Sequence, residues 1–221
     1  MTKPIIFCDF DGTITESDNI LRILNTFAPP EAERVKDDIL AQRMSIVEGV
    51  TEIFSMISSS KKADIIEFIL EDAVIREGFK EFMDFVKDEQ IPFYIVSGGI
   101  DFFLEPLVEP YGPYDGIYCN TADFSGDTIQ LGFPHECDAQ CHSKGCGCCK
   151  PSVIRTLAQD HQMTIIIGDS ITDLEAAKMA DLVIARDFLI EKCEELGIPY
   201  EPFETFTDVK KLLKEKLQLT K

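Results

Sequence analysis

The stretch Pro4-Ile5-Ile6-Phe7-Cys8-Asp9-Phe10-Asp11-Gly12-Thr13 decides the fold, because an apolar run ends abruptly in two carboxylates and a glycine. Residues 4–9 have the composition of a fully buried strand, and Asp9 and Asp11 share one side of an extended chain. The carboxyl ends of parallel strands are where open α/β sheets bind ligands. Two carboxylates this close repel each other unless a cation or a shared proton relieves them. The stretch therefore predicts a Mg²⁺-dependent site that handles a polyanion.

The composition of the whole chain limits its partners. With 221 residues and 45% hydrophobic content, the chain suits one substantial globular domain, or one domain carrying a smaller insertion. A net charge of −19 argues against nucleic acid and anionic membrane surfaces as partners. No apolar stretch is long enough to span a bilayer, and the start lacks a signal-peptide core, so we expect a cytoplasmic protein without a membrane partner.

The hydrophobic periodicity divides the chain into two parts. Between residues 17 and 75, apolar residues recur at three- and four-residue spacing in four segments, near 17–27, 31–42, 46–57 and 62–73. No convincing strand interrupts them. We therefore predict an α/β core formed by residues 1–16 and 76–221, with a helical bundle of residues 17–75 inserted after the first strand.

Strands and helices alternate after this block. We predict helices near 78–90, 101–110, from 151 onward, and near 172–180, 187–196 and 207–218. We predict strands over 92–96, 117–119, 164–167 and 182–185, with an antiparallel hairpin over 120–134. Such alternation is typical of a Rossmann-like parallel sheet with right-handed crossovers.

Three of the apolar strands are followed by polar signatures: Asp9-Phe10-Asp11, Ser97-Gly98-Gly99 and Gly168-Asp169-Ser170-Ile171-Thr172-Asp173. Together with Lys150, which precedes a predicted helix, they provide the carboxylate, hydroxyl and ammonium groups that phosphoryl transfer needs. A carboxylate is a nucleophile toward phosphorus, a second carboxyl can move the proton, and Mg²⁺ prefers oxygen ligands. Each signature alone is also typical of a helix cap, a turn or a solvated lysine. Their occurrence together in this order indicates a site.

These four elements resemble the four motifs of the haloacid dehalogenase superfamily of phosphatases, and the match runs from Asp9 to Asp173. The resemblance implies a core of the haloacid dehalogenase type, with the inserted α-helical bundle acting as a cap. It implies that Asp9 is the nucleophile, which becomes an aspartyl-phosphate, and that Asp11 is the general acid and base. It also implies that Asp9, the backbone carbonyl of Asp11, and Asp169 hold the Mg²⁺.

The remaining motifs have implied roles as well. Ser97, Gly98 and Lys150 would bind the phosphoryl group of a small phosphorylated substrate. Asp173 would either orient the metal shell or pair with Lys150. A second aspartate in the first motif is typical of phosphatases rather than of dehalogenases or P-type ATPases in that superfamily.

An all-helical insertion after the first motif resembles the phosphoserine phosphatase branch. Three further strings are more specific: residues 39–45, residues 75–79 and Ser97-Gly98-Gly99-Ile100-Asp101-Phe102-Phe103. Together with the cysteine-rich loop before Lys150, they are similar to the bacterial enediol-phosphate phosphatases of methionine salvage. Phosphoserine remains the competing substrate.

Candidate pocket residues follow from the chemistry of these substrates. An enediol with a methylthio tail needs apolar surface, for which Phe102 and Phe103 are candidates, and Phe54 or Met56 more weakly. Asp18 and Arg43 are available to bind a charged amino-acid substrate instead.

Five cysteines crowd the loop before Lys150, namely Cys137, Cys141, Cys146, Cys148 and Cys149. A structural Zn²⁺ is one interpretation, with His135 and His142 also nearby. The spacing departs from paired C-x₂-C, which favours a reduced loop, or one that forms disulfides on oxidation. Cys8 and Cys193 are expected to be buried core thiols.

Two other function classes remain as alternatives to a phosphomonoesterase. A phosphomutase or phosphotransferase would need the cap to exclude water, and nothing in the sequence indicates such exclusion. A regulatory or metal-binding module would usually lack the nucleophile or the metal-binding aspartate, and both are present here. A homodimer is compatible with the sequence.

Overall fold

The computed structural model describes residues 3–41, 43–141 and 145–218. Its centre is a seven-stranded sheet in the order β4-β3-β2-β1-β5-β6-β7, parallel except for the antiparallel pair β3 and β4. The strands are β1 Lys3–Cys8, β2 Phe93–Ile100, β3 Gly116–Asp123, β4 Gln130–Gly132, β5 Gln162–Gly168, β6 Leu182–Ala185 and β7 Glu201–Pro202. The predicted α/β class with a parallel sheet is confirmed.

The α-helices are α1 Asn19–Phe27, α2 Glu33–Leu40, α3 Ile46–Phe54, α4 Lys62–Asp72, α5 Phe79–Asp88, α6 Asp101–Val108, α7 Lys150–Leu157, α8 Leu174–Ala177, α9 Asp187–Leu196 and α10 Phe206–Lys216. Short 3-10 helices span Pro30–Ala32, Ser59–Lys61, Glu109–Tyr111 and Ile171–Asp173. Among the described residues, no helix has the length and apolar character needed to cross a membrane.

Strand β1 lies at the centre of the sheet and is buried on both faces. Ile6 and Cys8 pack into a core shared with α5, α6 and α10, whereas Ile5 and Phe7 pack on the other face against α7 and α8. Each side chain of this size contributes about 1.5–3 kcal/mol when fully buried. Because β2 and β5 flank β1 in parallel, the ends of these three strands meet at one edge.

The four helices α1 to α4 lie between β1 and β2 in the chain, as the periodicity predicts. An antiparallel bridge between Thr15 and Ile75 joins the segment that leads into these helices to the segment that leads out of them. A second bridge joins Ser58 to Thr128, next to the β3–β4 hairpin. Besides these two bridges, α4 packs against α6 and α3 against β4, so the helical block shares the main hydrophobic core.

Several predicted boundaries were wrong. The strand predicted over 92–96 continues to Ile100, so that Ser97-Gly98-Gly99 belongs to β2, where the register with β3 is irregular. The helix predicted over 172–180 is only Leu174–Ala177, after the 3-10 turn. Strand β3 is longer than predicted, and the two-residue strand β7 was not predicted.

Candidate active site

Asp9 and Asp11 follow the end of β1. Asp9 is 6% exposed, and its backbone N–H donates to Ile167 O at 2.9 Å, which continues the pairing of β1 with β5. Asp11 Oδ1 accepts hydrogen bonds from the backbone N–H and the side-chain Nδ2 of Asn19, at 2.9 and 2.6 Å. The buried Asn19 at the start of α1 thus holds the second carboxylate in place.

Gly12 lets the end of β5 approach the end of β1. Its φ of +78° lies in the left-handed region, and a β-carbon there would lie 2.9 Å from Asp169 Cγ. Thr13 Oγ1 donates to Asp169 Oδ1 at 2.8 Å. The loop after β1 therefore packs directly on the carboxylate that follows β5.

Lys150 is buried between two carboxylates. Its Nζ lies 2.9 Å from Asp9 Oδ2 and 2.5 Å from Asp173 Oδ1, and it donates to Thr172 Oγ1 at 3.3 Å. Lys150 is the first residue of α7, one position earlier than predicted. Asp173 Oδ2 also accepts from the backbone N–H groups of Asp169 and Ser170, at 3.2 and 3.1 Å.

Ser97 and Gly99 lie beside Asp11. Ser97 is 1% exposed, and its Oγ accepts from Gly99 N at 3.0 Å. A β-carbon on Gly99 would lie 3.0 Å from Asp11 Oδ2, whereas one on Gly98 would meet open space. Gly98 O accepts from Asn120 Nδ2 at 2.8 Å, a contact that the sequence analysis missed. The second motif is thus fixed against the first.

Burial and like charge raise the pKa of Asp9, Asp11 and Asp169. Burial, then the charge of Asp173, raises the pKa of Asp9 well above its ordinary value. Burial and the Asp18 charge raise the pKa of Asp11 to about 7, and burial with the Asp173 charge raises the pKa of Asp169 to about 6. For Lys150, burial lowers the pKa, but the two carboxylates outweigh it and hold the pKa above its ordinary value.

These carboxyls fit a divalent cation. Asp9, Asp169 and Asp173 each have a carboxylate oxygen within 4.8 Å of a carboxylate oxygen of the other two. Carboxylate oxygens are the ligands that Mg²⁺ prefers, and a cation would relieve the repulsion among these like charges. Asp173 also forms an ion pair with Lys150, so its Oδ1 already contacts the lysine ammonium group.

Arg76 is a further residue of the site, for which the sequence alone indicated no role, although it belongs to the family-specific segment 75–79. It is 6% exposed, and its guanidinium donates to Thr13 O and Gly12 O at 2.7 Å each and to Thr15 O at 3.1 Å. Its own backbone N–H donates to Ile14 O at 2.8 Å. A buried arginine thus fixes the whole loop after β1.

The residues expected in a substrate pocket have other contacts. Asp18 is the N-cap of α1, where its side chain accepts from Leu21 N at 3.0 Å. Arg43 is exposed and forms an ion pair with Asp38 at 2.6 Å. Phe102 and Phe103 are 8% and 1% exposed and belong to the main hydrophobic core.

Phe102 also packs edge-on against Phe124, with ring centroids 5.0 Å apart. Phe54 is fully buried in the same core, and Met56 packs against that core. Phe54 and Met56 therefore have the core positions that helical spacing usually gives.

The structure separates Cys148 from the other loop cysteines. Cys137, Cys141, Cys146 and Cys149 form one group of thiols. Cys148 is 4% exposed, packs among apolar residues and points its thiol at Tyr118 O, so it lies outside the group of the other four. His142 lies outside the described residues. Cys8 and Cys193 are fully buried, as predicted.

Comparison with known proteins decides the family. The model of the haloacid dehalogenase-like hydrolases matches residues 6–178. The chain belongs to this family. The matched region contains all four motifs.

Close relatives extend the match to the whole chain. A protein of Lysinibacillus sphaericus is 51% identical over 219 residues, which is 98% of this chain and 96% of that protein. A protein of Geobacillus kaustophilus is 57% identical over 210 residues, 95% of each chain. Both bear the name 2-hydroxy-3-keto-5-methylthiopentenyl-1-phosphate phosphatase.

Two solved structures share the fold at low sequence identity. A phospho-aspartyl intermediate analogue of phosphoserine phosphatase superposes with a TM-score of 0.64 at 18% identity, over 97% of this chain and 99% of that one. A probable phosphoserine phosphatase from Vibrio cholerae gives a TM-score of 0.73 at 20% identity, over 99% of this chain and 68% of the other. They support the fold.

Proposed function

We propose that this chain hydrolyses 2-hydroxy-3-keto-5-methylthiopentenyl-1-phosphate to phosphate and the acireductone 1,2-dihydroxy-3-keto-5-methylthiopentene, in methionine salvage. The observation that carries this proposal is identity of 51% and 57% to proteins of that name, over at least 95% of the chain. The geometry of Asp9, Asp11 and Lys150 supports phosphoryl transfer independently of those names.

In the proposed reaction, the Asp9 carboxylate attacks phosphorus and the ester oxygen departs. Lys150 Nζ lies 2.9 Å from Asp9 Oδ2, where its charge opposes the rise in the pKa of Asp9 and can stabilise the charge of the phosphoryl oxygens. Ser97 Oγ and the backbone N–H of Gly98 complete the proposed phosphoryl site. The product of this step is an aspartyl-phosphate on Asp9.

Asp11 is the proposed proton carrier. A pKa of about 7 leaves it partly protonated at neutral pH, so it can donate a proton to the departing enediol oxygen. The Asp11 carboxylate then takes a proton from water, and the resulting hydroxide attacks phosphorus, releasing phosphate and the Asp9 carboxylate. Because Asn19 donates two hydrogen bonds to Oδ1, Oδ2 is the oxygen available for this proton.

The proposed cofactor is Mg²⁺, held by Asp9, the backbone carbonyl of Asp11, and Asp169. When bound, it would neutralise charge on the phosphoryl group and allow the carboxylates to remain ionised side by side. Asp173 is proposed to act through Lys150 and the backbone N–H of Asp169, since its carboxylate contacts both.

We propose that residues 17–75 form the cap of this enzyme, over a core of residues 1–16 and 76–221. The bridge between Thr15 and Ile75 marks the base of the cap. Asp18 and Arg43 remain proposed pocket residues on the cap side, and Phe102 and Phe103 on the core side. Phe102, the more exposed of the two rings, is the better candidate to contact a methylthio tail.

A phosphate-release assay with Mg²⁺ tests the substrate. It compares the methylthiopentenyl phosphate with phosphoserine and with generic sugar phosphates, as kcat/KM under identical conditions. We expect the methylthiopentenyl phosphate to be preferred by at least about 100-fold, the effect of about 2.7 kcal/mol of differential transition-state binding. A preference for phosphoserine would overturn the substrate and leave the roles of Asp9 and Asp11 intact.

A further inference from the structure

Four cysteine thiols converge in the loop between β4 and α7. One sulfur each from Cys137, Cys141, Cys146 and Cys149 lies within 4.8 Å of all the others. The Sγ atoms of Cys141 and Cys146 are 3.7 Å apart, far beyond the ~2.05 Å of a disulfide bond. Four thiolates around a tetrahedral zinc with Zn–S bonds of ~2.3 Å would lie ~3.8 Å from one another.

We propose that these four cysteines bind one structural Zn²⁺ as thiolates. The group consists of soft sulfur ligands only, which select zinc over magnesium, and a closed set of four protein ligands is typical of structural rather than catalytic zinc. The site is distinct from the cluster of three carboxylates formed by Asp9, Asp169 and Asp173, whose oxygens suit a hard cation.

The backbone of the loop is shaped to present these sulfurs. Gly145 and Gly147 flank Cys146 and have left-handed φ values of +81° and +71°. The N–H of Cys141 donates to Asp138 O at 3.2 Å, and the N–H of Cys149 donates to His135 O at 2.9 Å. The turns of the loop therefore bring together cysteines whose spacing in the sequence is irregular.

A polar residue contacts one of the four sulfurs, as the outer partners of metal ligands usually do. Ser152 Oγ donates to Cys149 Sγ at 3.1 Å and accepts from Asp138 N at 2.8 Å. Arg155 forms a two-pronged contact with the Asp138 carboxylate, at 2.7 and 2.6 Å. These contacts join the loop to the first turns of α7.

The position of Cys149 gives the zinc a consequence for the active site. Cys149 is the N-cap residue of α7, and Lys150 is the first residue of that helix. A metal that fixes Cys149 therefore also fixes the start of the helix from which Lys150 reaches Asp9 and Asp173. The zinc site would act as a structural support for this lysine, without contacting substrate.

Metal analysis of the full-length chain tests the proposal. The protein is expressed in zinc-supplemented medium, purified under reducing conditions without chelators, and measured by plasma mass spectrometry. We expect one zinc per chain. Zinc should fall to background in C137S, C141S, C146S and C149S, while C148S, a neighbouring cysteine outside the group, should retain one equivalent.

Cobalt provides a readout that does not depend on the stability of the variants. The wild-type chain, stripped of metal under reductant and titrated with Co²⁺ alone, should develop the visible absorption of tetrahedral cobalt thiolate, saturating at one equivalent. Absence of zinc from the purified protein together with absence of this absorption would overturn the proposal. One equivalent of iron in place of zinc would overturn the choice of metal.

Metal content and phosphatase activity test the zinc site and the proposed function separately. A chain with full phosphatase activity and no thiolate-bound metal would contradict the zinc site alone. A chain that holds one zinc and binds cobalt as described, but hydrolyses no phosphate ester, would contradict the proposed function alone.

Discussion

The carboxylate of Asp169 lies against the backbone of Gly12, so that a β-carbon on Gly12 would lie 2.9 Å from Asp169 Cγ. The two residues come from loops that follow neighbouring parallel strands, β1 and β5. Thr13 strengthens this contact by donating to Asp169 Oδ1 at 2.8 Å. The position of the proposed metal ligand therefore depends on a glycine in the first motif.

We expect Gly12→Ala to lower kcat at least about 100-fold, because the added β-carbon must displace Asp169 and the φ of +78° disfavours a side chain. Steady-state phosphate release measures this, with circular dichroism to confirm folding. Gly126→Ala is the control, since its β-carbon would meet only Thr128 O, at 3.9 Å. A folded Gly12→Ala variant with the wild-type kcat would show that the contact is unimportant.

Arg76→Met should reduce the free energy of unfolding by about 3 kcal/mol, because carbonyl groups of Gly12, Thr13 and Thr15 lose a buried donor. Urea denaturation measures this change. Arg34→Met is the matched control: the Arg34 side chain is 77% exposed and pairs with Glu52 at the surface, so the change should stay within about 0.5 kcal/mol. Equal losses in the two variants would contradict the anchoring role of Arg76.

The sequence predicted the elements with strong hydrophobic periodicity. Strand β6 was placed at its observed residues, as was α9, and the four helices between residues 17 and 75 were found. The end of β2 was predicted too early, because Ser97-Gly98-Gly99 has the composition of a turn. In the structure, Ile100 pairs with Asn120 of β3, and this pairing extends the strand. Local composition could not reveal a partner that lies 20 residues later in the chain.

The site was predicted in part, for a similar reason. The motif residues Asp9, Lys150, Asp169 and Asp173, which the sequence places near strand ends or helix starts, lie together in the structure. Asn19 and Asn120 were missed, since an isolated asparagine carries no pattern until the fold places it beside Asp11 or Gly98. The late start of α8 also reflects tertiary contacts, because the Asp173 carboxylate pairs with Lys150 and accepts from the N–H of Asp169.

Lys150→Ala should lower kcat/KM by about 100- to 1,000-fold, the effect of losing one contact to developing charge, about 2.7–4 kcal/mol. It also leaves Asp9 and Asp173 side by side without their shared cation, so the protein should be less stable. Lys178→Ala is the control, because Lys178 pairs with Glu175 at the surface. A kcat/KM equal to that of the control would refute the proposed role of Lys150.

Stability of the metal-free protein should fall as pH rises from about 4 to about 7. The folded state raises the pKa of Asp11 to about 7 and of Asp169 to about 6, from 3.8. In this range the folded state binds more protons than the unfolded state, so the contribution of both groups decreases with pH.

Urea denaturation of chelator-treated protein at several pH values measures this slope. The slope should be shallower in Asp11→Asn and in Asp169→Asn, which no longer titrate. Adding Mg²⁺ should stabilise the wild type more at about pH 8 than at about pH 5, since it binds the ionised carboxylates. Identical slopes in the wild type and both variants would contradict the raised pKa values.

Phosphate release by Asp9→Asn tests the central claim most directly. The assay uses the methylthiopentenyl phosphate with Mg²⁺, and its control is Asp84→Asn, an exposed aspartate paired with Lys80. We predict that Asp84→Asn keeps the wild-type rate and that a folded Asp9→Asn loses at least about 1,000-fold in kcat, because the amide cannot form the phosphoenzyme. Turnover by Asp9→Asn near the wild-type rate would contradict catalysis through an aspartyl-phosphate on Asp9.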